Sequence, residues 1–164
     1  MIIHDLSPEQ AEKVLADVQD TCIIADDHTI RNCVGCFGCW IKTPGQCIIK
    51  DGHENMGSLL GKTKDLIIIS RMTYGGFSPF IKNVLDRSIS YIHPYFQIRN
   101  KEMHHRRRYD NVIRIRVFFY GEDITKEEKD TANGYVEAVS VNLDASFEEL
   151  RFMTLKELME GDLC

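Results

Sequence analysis

The sequence predicts a three-layer α/β sandwich: a five-stranded parallel sheet in the order 2-1-3-4-5 with helices on both faces. Two observations carry this. Strand-like and helix-like segments alternate along the whole chain, which is the signature of a sheet covered by crossover helices. Residues 65–70, Asp-Leu-Ile-Ile-Ile-Ser, are apolar at successive positions, as a strand buried on both faces requires. With 164 residues, 43% of them hydrophobic and 27% charged, the chain suits one domain over residues 1–164.

The elements follow in order. Residues 1–5 read as a short strand. Ser7-Pro8 then places a capping hydroxyl and a first-turn proline before a helix whose apolar stripe is Ala11, Val14, Leu15 and Val18. Residues 21–25 form the second strand, and Cys22 is expected in its core. Residues 26–52 hold many Gly, Cys and polar residues without a sustained period, so they read as a long functional loop. Met56, Leu59 and Leu60 mark a short helix before the central strand. After it, Phe80, Ile81, Val84, Leu85, Ile89 and Ile92 predict one long amphipathic helix. Residues 94–110 read as irregular. Residues 111–120 are β-rich, residues 125–143 are helical in period, and residues 146–154 supply a last strand before a short terminal helix.

Charge and targeting signals narrow the function classes. A formal net charge of -5 argues against a nucleic-acid partner, which calls for a basic domain. The basic stretch Lys101 to Arg108 reads as a solvated loop, with attraction of an acidic or phosphate group as the sharper alternative. No secretory leader and no apolar run of membrane-spanning length is visible, so a cytoplasmic protein without a membrane partner is expected. Its six cysteines are then expected to be reduced thiols or ligands rather than disulfides. Cys164 has no assigned role. His93, His104 and His105 are read as solvated, and no catalytic acid or base is assigned.

Ligands of open parallel sheets bind beyond the carboxyl ends of the strands, where the strand order reverses. The loop after the third strand contains Thr73, Tyr74, Gly75, Gly76 and Phe77. Paired glycines let backbone approach a flat ligand, and two aromatic faces are on offer; a plain strand-to-helix turn is the bland alternative. Cys33, Cys36, Cys39 and Cys47 form C-x2-C-x2-C-x7-C. Thiolates at such intervals suit one four-iron four-sulfur cluster. Zinc is less natural, since its structural sites use two separated ligand pairs, and buried or free thiols remain the simplest reading.

The cysteine segment 33–40, the Thr43 to Cys47 turn, the Tyr74-Gly75-Gly76 loop with the helix through Arg87, and Met103-His104-His105 together resemble the flavodoxin-like NAD(P)H-dependent FMN reductase and iron–sulfur flavoprotein families over residues 21–143. The resemblance implies an FMN-dependent oxidoreductase that takes hydride from NAD(P)H and passes electrons to a small-molecule acceptor. It further implies a flavin ring held by the loop at residues 73–77, a contact from Tyr120 and Gly121, and assembly as a homodimer or homotetramer. FMN phosphate in these families sits in a hydroxyl-rich loop after the first strand. Here that stretch is Leu6-Ser7-Pro8-Glu9-Gln10-Ala11, where Ser7 is the single hydroxyl and Glu9 adds negative charge, so the phosphate is expected to be weakly held. Two other readings stay open: a flavodoxin-like binding or assembly protein that has lost FMN, and a cysteine-based metal or redox module.

Overall fold

Alternation of side chains along the strands sets the layers. In the computed structural model, which describes residues 1–99 and 101–161, Ile3, Ile68, Val117 and Phe119 face one core, while Ile2, Ile69, Phe118 and Tyr120 face another. Consecutive apolar residues are therefore needed on the same strand, because each serves a different layer. Cys164 lies outside the described residues.

The sheet contains β1 (Ile2–His4), β2 (Ile23–Ala25), β3 (Asp65–Arg71), β6 (Arg114–Tyr120) and β7 (Ser146–Met153), in the order β2-β1-β3-β6-β7 with every pairing parallel. This is the expected 2-1-3-4-5 order. Ile3 pairs with Ile68 and Ile68 with Val117 at its centre. On one face pack α3 (Met56–Leu60), α4 (Pro79–Arg87) and α5 (Lys126–Asn142), burying Leu60, Ile81, Val84 and Val136. On the other pack α1 (Pro8–Val14) and α6 (Leu155–Glu160), through Leu15, Leu155 and Leu158. Each of α1, α5 and α6 opens on a reciprocal capping box, Ser7 with Gln10, Thr125 with Glu128 and Thr154 with Glu157.

Three expectations need correction. Residues 94–110 are not irregular: β4 (Ile92–Arg99) and β5 (Glu102–Arg107) form an antiparallel hairpin, separate from the main sheet. The expected long helix stops at Arg87, where the Ser88 N–H bonds the Leu85 carbonyl; a single 3-10 turn over Ile89–Tyr91 follows and Ile92 begins β4. The long loop also carries one short helix, α2 (Gly38–Ile41). The basic residues of the hairpin are largely committed inside the fold. The Arg107 guanidinium pairs with Asp144, that of Arg106 donates to the Phe96 carbonyl and that of Arg108 to the Ser90 carbonyl. Cys22 is exposed rather than in the core. Among the described residues no helix is long and apolar enough to cross a membrane.

Candidate functional site

Two cavities flank α4. The larger, about 1060 Å³, lies beyond the carboxyl ends of β1, β3 and β6, where the strand order reverses. Its lining includes Ser7, Thr73, Tyr74, Tyr120 and Gly121 from the residues singled out in the sequence. Gly75, Gly76 and Phe77 are not among its lining residues. Phe77 is fully buried and packs against Phe119 and Tyr135, so its ring belongs to the core.

Residues 73–76 close a tight turn. Thr73 and Gly76 exchange N–H···O=C bonds of 3.0 Å in both directions, and both central residues have positive φ, 52° at Tyr74 and 77° at Gly75. Two N–H groups expected to face a ligand are thus spent inside the turn. The glycine requirement at 75 also has another origin. A Cβ there would stand 2.7 Å from the Thr131 Cβ, so it is α5, not a flat ligand, that approaches this backbone.

The loop after β1 shows how little remains for a phosphate. The Leu6 N–H donates to Nδ1 of buried His4 at 3.3 Å, the Ser7 N–H donates to the Gln10 side chain at 2.8 Å, and the Gln10 N–H donates to Ser7 Oγ at 3.3 Å. Pro8 has no N–H. Burial holds the His4 pKa below its ordinary value, keeping the neutral ring that accepts from Leu6. Around the cavity stand the carboxylates of Asp5, Asp26, Glu122, Asp123 and Glu128, against one guanidinium, Arg71, and the imidazole of His28. Asp5 accepts the Arg71 N–H through both oxygens, at 3.0 and 3.1 Å. Its neighbour Tyr120 has its phenol pKa raised, first by burial and then by Asp5. Spent donors and acidic walls do not fit the dianionic phosphate of FMN.

The smaller cavity, about 280 Å³, is lined by all four cysteines of the motif, together with Phe37, Trp40, Ile49, Arg87 and Ile89. Positive φ at Gly35 (63°) and Phe37 (56°) on either side of Cys36 winds the chain so that successive cysteines meet one space. Cys47 is buried, Cys39 half-buried, and Cys33 and Cys36 are exposed at its mouth. The Gly38 N–H donates to Cys36 Sγ at 3.4 Å, and the Cys33 N–H donates to Asn83 of α4 at 3.3 Å. Burial pushes the Cys39 thiol pKa up, and Cys47, Cys33 and Cys36 each push it in the same direction by their charge. Among the described residues, no three His, Cys, Asp or Glu side chains gather closely enough to hold a single metal ion.

Behind the thiols sits a residue that sequence reasoning passed over. The Arg87 side chain is wholly buried; it donates to both oxygens of Asp51, at 2.6 and 2.9 Å, and to the Arg31 carbonyl at 2.7 Å. One guanidinium therefore ties together the two ends of the cysteine loop. Asp51 is held far below the usual carboxylate range by this hydrogen bonding. The signal available in the sequence was an arginine at the inner end of an amphipathic stripe, which reads by periodicity as a solvated helix end.

No family profile and no curated protein matches the chain. In structure it is similar to the Trp repressor binding protein from Bacillus subtilis, with a TM-score of 0.58 at 16% identity, over 97% of this chain and 96% of that one. The strand order and this likeness establish a flavodoxin-like fold.

Proposed function

We propose that this chain, a flavodoxin-like α/β protein, is an electron-transfer protein of the oxidoreductase class whose redox centre is a four-iron four-sulfur cluster on Cys33, Cys36, Cys39 and Cys47. The observation that carries the reading is that all four thiols line one cavity although they lie across fifteen residues of loop. A single zinc ion needs its sulfurs about 3.8 Å apart, given Zn–S bonds of about 2.3 Å in a tetrahedron. A four-iron cluster takes one thiolate per iron, so its ligands stand farther apart, in keeping with four thiols round a cavity and no three at single-ion spacing.

The donor set fits, and the surroundings suit it. Such a cluster, when bound, exchanges one electron at a time. The chain's part is to exchange four thiol protons for iron, to exclude water with Phe37, Trp40 and Ile49, and to steady sulfur charge with the Gly38 N–H at Cys36. The FMN-dependent hydride transfer from NAD(P)H implied by the family resemblance is not adopted, because the larger cavity offers no seat for the phosphate.

The test is spectroscopic. After anaerobic reconstitution with iron and sulfide, the protein should show broad visible absorption that bleaches on reduction, with a paramagnetic signal of the reduced centre. Cys47→Ser should lose both. A colourless parent, or colour unchanged in Cys33→Ser, Cys36→Ser, Cys39→Ser and Cys47→Ser alike, contradicts the reading.

A further inference from the structure

The larger cavity has the position and volume of a ligand site, and its size lies at the upper end of the roughly 300–1,000 Å³ common for ligand clefts. Its chemistry differs from that of a phosphate-anchored nucleotide. We propose that it binds a planar ring compound carrying no phosphate, and that its acidic wall selects against the phosphorylated form of the same ring. This assignment is independent of the cysteine pocket.

Two sets of observations converge. The first concerns the ring. Tyr74 is 92% exposed on the rim, yet its backbone is held at a φ of 52°, a conformation unfavourable for a bulky side chain. Strain that returns no burial is stored where function uses it. Leu6, Met72, Pro79 and Tyr120 supply apolar and aromatic wall beside it. The second concerns charge. Leu6, Ser7 and Gln10 have their N–H groups bonded within the loop, and five carboxylates outnumber the single guanidinium of Arg71. A dianion entering there meets repulsion and no free cradle, whereas a neutral ring loses nothing by the absence of donors.

Riboflavin and FMN share one ring and differ by one phosphate, so titrating the full-length chain with each isolates the charge term. At low ionic strength, flavin fluorescence quenching should give riboflavin an affinity about tenfold above that of FMN, the factor expected of like charges near a protein surface. The gap should shrink at high salt, and also in a Glu122→Gln/Asp123→Asn variant, both changes lying on exposed loop that folding does not depend on. Tyr74→Ala should weaken riboflavin by about tenfold, as loss of a stacked ring does. Three results would overturn the proposal: FMN binding as tightly as riboflavin or tighter, Arg71→Gln weakening FMN while sparing riboflavin, or no quenching of riboflavin by the parent protein.

Discussion

At the scale of the residue, the same side chain or backbone can serve a ligand or a neighbour, and only geometry separates the two. Gly75 illustrates this. A Gly-Gly pair beyond a central strand suggests close approach to a cofactor, but the element that approaches is α5, through Thr131 and the Glu128 carbonyl. Gly75→Val then carries a clash at 2.7 Å in addition to a β-branched side chain at a φ of 77°. We expect it to destabilise the fold by about 2–4 kcal/mol, from overpacking plus the strain of left-handed backbone. Chemical denaturation followed by circular dichroism checks this, and an unchanged midpoint would contradict the packing described. Phe77 teaches the converse lesson: an aromatic next to a loop motif looked available, yet its alternation with Gly76 and Ser78 turns it into the core beside Phe119.

At the scale of the element, the cysteine loop depends on Arg87. Its guanidinium joins Arg31 at the start of the loop to Asp51 at its end, with both side chains of the ion pair buried. Breaking one partner of such a pair leaves the other charged and unpaired, so Arg87→Met or Asp51→Ala should cost about 3–5 kcal/mol. The pH dependence follows from the sign of the Asp51 shift. Its folded pKa is depressed, so its stabilisation is present above the ordinary value of 3.8 and is lost as the pH falls below it. Asp51→Asn should therefore flatten the acid limb of the stability curve, measured as denaturation midpoint between pH 5 and 2; a limb parallel to that of the parent would contradict the pairing. Elements with strong local signals were legible in advance. The apolar run of β3, the capping box at Ser7 and the long period of α5 all correspond to observed elements. The β4–β5 hairpin was not, because Arg and His residues interrupt its alternation and its turn lacks a glycine. Its strands are held by each other and by side-chain bonds to distant residues such as Asp144, which periodicity does not report. Helix α4 was read as too long because Ile89 and Ile92 continue its stripe by chance of spacing, while belonging to a 3-10 turn and to β4.

At the scale of the whole molecule, the flavodoxin-like sheet presents two different chemical environments on the two ends of one helix. The first turn of α4 borders the acidic cavity through Ser78 and Pro79, and its last turn borders the thiols through Asp86 and Arg87. At 1.5 Å rise per residue the two are about 12 Å apart. The position of both sites was legible, one from topology and one from cysteine spacing. Their electrostatic character was not, since it depends on which N–H groups the loop after β1 consumes and on carboxylates from three separate loops. The central claim is that the four cysteines act together on one cluster, and chemical analysis tests it most directly. Iron and acid-labile sulfide, measured per chain after anaerobic reconstitution and removal of excess reagent, should each reach about four in the parent and fall to near zero in Cys47→Ser. A parent that retains neither iron nor sulfide, with four thiols of the motif still free to titrate once it is denatured, would contradict it.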